Sequence, residues 1–223
     1  MNRTILAIAS VFVVATMLGV ALLVGQATPA DLPLPTHWGL DGDADRFSDK
    51  WTALLTPPGI TGAASLLFYF LPSIEPRRDG LARSQGLYLW GWLSLLMMGG
   101  ILEFALVSLA LGWGFHANHL IVGGLGIMLA MIGNQLGKSR SMYLIGFRTP
   151  WTLASEEVWI KTHRLAGKLM VGGGLLMFLA AALPIPSGLL ASVVAAVIAA
   201  AVAIPLLYSY LLWRRERGVQ PSE

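Results

Sequence analysis

Six apolar runs, separated by short polar connections, constrain this chain more than any other feature. They are Ile5–Gly25, Ala53–Leu71, Leu87–Leu111, Leu120–Leu136, Leu169–Leu183 and Gly188–Trp213. A helix needs about 20 apolar residues to cross a bilayer core, so each run is read as a spanning helix. A secretory signal peptide competes for the first run, because small residues follow it at Gln26–Ala30. That run is longer than an h-region of about 7–15 residues, however, and is read as a retained helix. Of the 223 residues, 56% are hydrophobic and 12% charged. The charged share is about half that of a soluble domain, so the fold class expected is an all-α, polytopic membrane protein. There are no cysteines, which removes disulfides and thiolate metal sites from consideration.

The cations sort by connection. Arg77, Arg78 and Arg83 lie in the second connection, Lys138 to Lys168 hold the fourth, and Arg214, Arg215 and Arg217 follow the last run. The first, third and fifth connections hold only Arg46 and Lys50. The positive-inside rule then predicts six helices with both termini cytoplasmic. Trp90, Trp92, Trp113, Trp151 and Trp213 lie near run ends, where interfacial belts are expected. Pro57 and Pro58 fall near the start of the second run, where a first helical turn tolerates proline, and Pro205 predicts a kink in the sixth. Three parts follow: 1–75 (first helix, outer loop, second helix), 76–137 (third and fourth helices) and 138–223 (a signature loop with the last two helices).

The densest chemistry lies in Tyr143–Lys168, YLIGFRTPWTLASEEVWIKTHRLAGK. Thr149 should be extended before Pro150. Ser155 is an expected N-cap, with Glu156 and Glu157 in the first turn at the positive end of the helix dipole. Trp159 and His163 are four residues apart and share a face. The reading is a loop and a short cytoplasmic amphipathic helix before the fifth span. Arg148 can grip a carboxylate of a partner or simply mark the cytoplasmic side. His163 with Arg164 reads as a proton-sensitive or partner-binding pair, or as a face touching lipid headgroups.

Other positions carry weaker signals. His37, in Pro35–Gly39, sits in a turn-forming context; with His116 and His119 it gives three imidazoles on the outer side that could hold zinc, against packing and hydrogen bonding as the simpler role. Asp41–Asp45 superficially resembles a calcium loop, but Arg46 and Thr52 stand where an EF-hand needs glycine and glutamate. Glu103 is the one carboxylate inside an apolar run, roughly 13 Å from the outer helix end at 1.5 Å per residue. Such a group is functional by default: protonated, paired with His116, or part of an ion path. Asn134 and Gln135, within Gly133–Gly137, supply polar side chains in a small-xxx-small spacing that glues helices. Gly172–Gly174 permits close packing or a hinge. There is no nucleophile–base arrangement, zinc-protease motif or phosphate-binding glycine loop. The sequence therefore calls for no enzyme and no cofactor. The split cations speak against nucleic acid as a partner; membrane lipid is the evident one.

Ile145-Gly-Phe-Arg-Thr-Pro-Trp-Thr152, then Trp159, then Thr162-His-Arg-Leu-Ala-Gly167, resembles the signature of the SdpI-type immunity protein family of bacteria. Leu34–Lys50 resembles the short extracytoplasmic module of unknown function that often precedes it. The resemblance implies protection against a secreted, membrane-active peptide toxin, and retention of a small cytoplasmic repressor at the membrane. It also implies the partner-binding positions: Gly146, Arg148, Thr149, Pro150, Trp151, Trp159, His163, Arg164 and Gly167 inside, with Pro35, His37, Gly39, Gly42 and Lys50 outside. The alternative class is a small transporter or channel, with Glu103, Asn134 and Gln135 lining a path.

Overall fold

A computed structural model describes residues 3–39 and 43–219. Six helices are long and apolar enough to cross a membrane. They are α1 (Arg3–Ala27), α2 (Lys50–Ile74), α4 (Gln85–Ala110), α5 (Ala117–Leu136), α7 (Glu156–Ala182) and α8 (Ser187–Val219). Short helices α3 (Arg78–Ala82) and α6 (Pro150–Ala154) lie in the two cation-rich connections. Large apolar side chains face outward along the spans, among them Val11, Phe12 and Leu23, each at least 69% exposed. In water such a surface would drive aggregation, whereas in a bilayer it is solvated by lipid.

Side-chain contacts fix two ends of the bundle. Arg3 lies over the Tyr69 ring, the Arg140 amide N–H donates to Ser84 Oγ, and Trp151 Nε1 donates to Ser209 Oγ. These contacts gather the start of α1, the end of α2, the start of α4, the end of α5 and the end of α8. At the other end, Lys50 Nζ donates to Thr28 O, Asn118 Nδ2 donates to Ser187 Oγ, and His119 Nδ1 lies 2.9 Å from Ala181 O. Helices α1, α2 and α4 form one packed group, and α5, α7 and α8 form another; α4 against α5 joins them.

Small residues set the closest contact, between α5 and α7. A Cβ on Gly126 would lie 2.5 Å from the Gly174 carbonyl oxygen, and one on Gly133 would lie 2.9 Å from that of Gly167. The main chains meet there because no side chain intervenes. The glycine triplet is thus a packing device within an unbroken helix: Gly174 meets α5, Gly173 meets Val197 of α8, and Gly172 meets nothing within 4 Å.

Four expectations need correction. Pro35–Gly39 is not simply a turn. Residues Pro33–Trp38 form strand β1, antiparallel to β2 (Ala44–Asp49), with irregular register around His37. The outer module is therefore a two-stranded hairpin added to the helices. Leu34, 2% exposed, plugs it into a core of Ala21, Val24, Leu54, Leu106 and Val107. Second, α2 begins at Lys50, because the Asp49 carboxylate accepts from the amides of Trp51 and Thr52 at 3.1 and 3.0 Å. Pro57 and Pro58 consequently lie inside α2, beyond its first turn, and deprive the Ala53 and Leu54 carbonyls of their usual donors.

Third, the amphipathic segment is not a separate surface helix. Ser155 caps α7, accepting from the Val158 amide at 3.2 Å, and the helix runs 27 residues through the fifth span. Its charged residues Glu156, Glu157, Lys161, Arg164 and Lys168 are not buried, while Val158, Trp159, Thr162, His163, Ala166 and Gly167 are. Fourth, Trp92 is no belt residue: fully buried, it donates from Nε1 to Ser10 Oγ of α1 at 2.9 Å.

Candidate functional site

The cation-rich end is built around two buried side chains from distant parts of the chain. Glu75, the C-cap of α2, is 1% exposed. Its carboxylate accepts from three backbone amides: Arg77 at 2.9 Å, Tyr143 at 3.0 Å and Leu144 at 2.8 Å. Charge-assisted bonds of this kind are about twice as strong as neutral ones, so Glu75 staples the fourth connection to the end of α2. Arg77 clamps the same loop. Its guanidinium donates to Ser141 Oγ and, at 3.2 Å, to the Leu153 carbonyl, and it stacks over the Tyr143 ring at 4.7 Å.

The second anchor is His163, fully buried on α7. The amide of Phe147 donates to its Nε2 at 2.9 Å. Nε2 must therefore be the acceptor, which leaves the ring proton on Nδ1, facing the Trp159 carbonyl at 2.8 Å. The imidazole is neutral, with both nitrogens occupied, and it stacks on Trp159 at 3.9 Å. This corrects the reading of His163 as a proton-sensitive surface group beside Arg164. Trp159, also fully buried, donates from Nε1 to Ser139 Oγ at 3.2 Å.

Between the anchors the loop makes a tight passage. Gly146 has φ +114, and a Cβ there would stand 2.5 Å from His163 Nε2 and 2.9 Å from the Trp159 ring. Only glycine meets both demands. Thr149 is extended, as expected before proline, and forms a capping box with Thr152 for α6. Thr152 Oγ1 also donates to the Phe147 carbonyl at 2.6 Å. Pro150 occupies the first turn of α6. Trp151 leaves the loop for α8, with its ring edge-on to Tyr210 at 5.5 Å. Of the inner residues that sequence pointed to, Gly146, Thr149, Trp159, His163 and Gly167 thus form a scaffold. Arg148, Pro150 and Arg164 are presented at the surface, with Arg148 Nη1 donating to the Tyr143 carbonyl at 2.9 Å.

At the opposite end, His37 and Asp45 face each other across the hairpin at 2.6 Å, both exposed. The hydrogen bond from His37 holds the Asp45 carboxyl below its ordinary range. Gly39 N–H donates to the Asp43 carbonyl at 2.8 Å, and Pro35 is half-buried. Lys50, 5% exposed, is turned inward to tie α2 to the end of α1. Gly42, like Asp41 in the acidic turn, lies outside the described residues.

The three histidines do not assemble into a metal site. His37 takes Asp45, whereas His116 and His119, 5.7 Å apart, line an apolar cleft of about 1060 Å³ between α4, α5 and the α7–α8 connection. Among the described residues, no group of three metal-ligating side chains is suitably placed. Glu103 is 4% exposed, and neither carboxyl oxygen has a hydrogen-bond partner among the described residues, so the expected pair with His116 does not form. Asn134 is exposed and Gln135 lies over Gly86 of α4; neither lines the groove at Glu103.

Sequence reasoning missed Glu75 and Arg77 as site residues. Both were legible only as charges in a short loop, since their partners are 68 and 64 residues away.

Fold and site together define a six-span, predominantly helical, multi-pass membrane protein whose fourth connection is folded onto buried Glu75 and His163. Residues 138–209 match the SdpI/YfhL protein family model, and residues 11–62 match a domain of unknown function (DUF1648). The chain is 26% identical to Immunity protein SdpI of Bacillus subtilis (strain 168) over 170 residues, which is 76% of this chain and 78% of that protein. Its fourth connection and last two helices are thus similar to the SdpI/YfhL family, and most of the chain is similar to that immunity protein. No solved structure matches it.

Proposed function

We propose that this chain is a membrane immunity protein that protects its own cell from a membrane-active peptide toxin. One observation carries the reading. The segment that matches the SdpI/YfhL family is the one locked by Gly146, Trp159 and His163, and the lock's product is a fixed, exposed Arg148 beside Pro150. A scaffold that buries two aromatic rings to hold one loop suits a docking surface better than a passive connection. The cation-rich end faces the cytoplasm in this reading, by the positive-inside rule. Arg148, Arg164 and Lys168 there receive an acidic face of a small repressor protein. The hairpin end faces outward, and the apolar cleft beside it, lined by His116 and His119, has the size and character to take part of an apolar peptide.

The test is toxin sensitivity of a deletion strain complemented with the parent chain, Arg148→Ala or His37→Ala. The parent restores resistance, His37→Ala and Arg148→Ala each lower it, and Arg148→Ala also releases the repressor. A deletion strain as resistant as its parent to every cognate peptide removes the immunity reading.

The unpaired Glu103 favours a second reading, a small transporter. Proteoliposomes decide it: flux that Glu103→Gln abolishes supports transport, and no flux under any imposed gradient removes it.

A further inference from the structure

Arg77, Arg78 and Arg83 share the connection between α2 and α4 but not a role. Arg77 is committed to the fourth connection, donating to Ser141 Oγ and the Leu153 carbonyl. Arg83 Nε donates to the Asp79 carbonyl at 3.4 Å. Arg78 is exposed and has no hydrogen bond or ion pair among the described residues. A free surface arginine alone means little. What sets Arg78 apart is its place in the lining of a cavity of about 560 Å³.

The cavity lies where two spans meet the cation-rich connection. Pro72 contributes from the last turn of α2, Leu81 and Ala82 from α3, and Gln85, Tyr88 and Leu89 from the first turns of α4. Its walls are preformed. The Ser84 hydroxyl donates to the Gly80 carbonyl at 2.7 Å, Leu81 packs into the core of Leu71, Met142 and Trp159, and Tyr88 Oη donates to the Phe68 carbonyl at 2.9 Å. Ile74 near the end of α2 and Trp90 near the start of α4 are exposed, and a tryptophan at a span end belongs at headgroup level. The cavity therefore opens where lipid phosphates lie.

Arg78 is the one charged side chain in the lining. Its guanidinium fork matches two oxygens of a phosphate. The Gln85 amide, also exposed and without a partner among the described residues, supplies donors and an acceptor for hydroxyls beside that phosphate. Pro72, Leu81 and Leu89 give apolar surface for the first carbons of an acyl chain. No carboxylate in the lining receives a choline or ethanolamine cation. The volume is within the range of about 300–1,000 Å³ usual for small-molecule sites.

We propose that this cavity binds the headgroup of an anionic phospholipid, with Arg78 on the phosphate and Gln85 on the polar end beyond it. The lipid comes from the leaflet at the cation-rich end. The site does not use Arg148 and does not rest on the immunity reading.

Native mass spectrometry counts lipids bound to purified full-length protein, titrated in detergent with phosphatidylglycerol or with phosphatidylcholine of identical chains. The first phosphatidylglycerol should bind about tenfold more tightly than the first phosphatidylcholine. Arg78→Ala deletes the fork and Ala82→Phe fills the cavity, and each should remove that preference. Arg83→Ala takes the same charge from the same connection and should keep it. On the parent chain, phosphatidylglycerol with a diazirine at the start of one acyl chain should crosslink within residues 72–89, and excess inorganic phosphate should not displace it. Any of five results overturns the proposal. They are equal affinity for the two lipids, equal loss in Arg78→Ala and Arg83→Ala (diffuse attraction), an undiminished preference in Ala82→Phe, crosslinks confined to other segments, and displacement by inorganic phosphate (a soluble anion as ligand). Thermal unfolding without lipid checks that the variants are folded, and the crosslink is read on the parent whatever they do.

Discussion

Gly146 is where the demands on the loop converge: a backbone angle that other residues avoid, and a Cβ position already filled by His163 and Trp159. Gly146→Ala should cost about 2–4 kcal/mol from backbone strain and overpacking together, measured as unfolding in detergent. His163→Ala removes the acceptor of the Phe147 amide and should cost about 1–3 kcal/mol for that bond alone. On the hairpin, the folded-state pKa of Asp45 lies below its unfolded value because His37 donates to it. The contact thus contributes stability above the unfolded value of about 3.9 and loses it as pH falls through the lower folded one. Amide resonances of the hairpin should therefore shift below about pH 4 in the parent; in Asp45→Asn the shifts around His37 and residue 45 should disappear, while those around Asp49, whose carboxyl Thr52 also holds low, remain.

At this scale, part of the site is legible in the sequence. Four-residue spacing puts Trp159 beside His163, and Pro150 makes Thr149 extended. Burial is not legible, because His163 carries the same letter whether it meets solvent or a backbone amide. The Glu75 partnership is hidden for a related reason: an acid in a short loop has no local pattern that names amides 68 residues later.

Among the elements, the spans are the most legible, since continuous hydrophobicity over about 20 residues has few other uses. Their ends are less so. Polar residues 156–168 read as a surface helix, because charge along a helix signals water; burial on one face and exposure on the other let the same residues begin a long span. The hairpin hides behind its prolines, which usually argue against a strand but are tolerated on a two-stranded ribbon with free edges. The α5–α7 seam gives a discriminating test with three adjacent glycines. Gly172→Ala meets open space and should stabilise α7 by about 0.4–1 kcal/mol. Gly174→Ala puts a methyl 2.8 Å from the Ala130 amide nitrogen and should destabilise by about 1–3 kcal/mol. Equal effects at the two positions, in paired thermal unfolding, would contradict main-chain contact along the seam.

For the whole molecule, the separation of cations to one end implies opposite aqueous faces for the hairpin and the Arg148 loop. The absence of native cysteine makes this directly measurable. Thr36→Cys and Arg148→Cys both replace exposed residues. A membrane-impermeant maleimide should label the first in intact cells and the second only after permeabilisation. Labelling of both from one side would remove the division between an outward receptor face and an inward docking face.

Where the main chains of α5 and α7 touch, at Gly126–Gly174 and Gly133–Gly167, no side chain is left between them to repack. Those two contacts pin α5 and α7 to each other at two levels, so a tilt of one helix should carry the other along. Freedom to rearrange is left to the junction with α4, where side chains rather than backbone fill the gap and the large outer cleft opens. A wedge driven into that cleft would pry apart the halves of the protein while leaving the α5–α7 contacts in place.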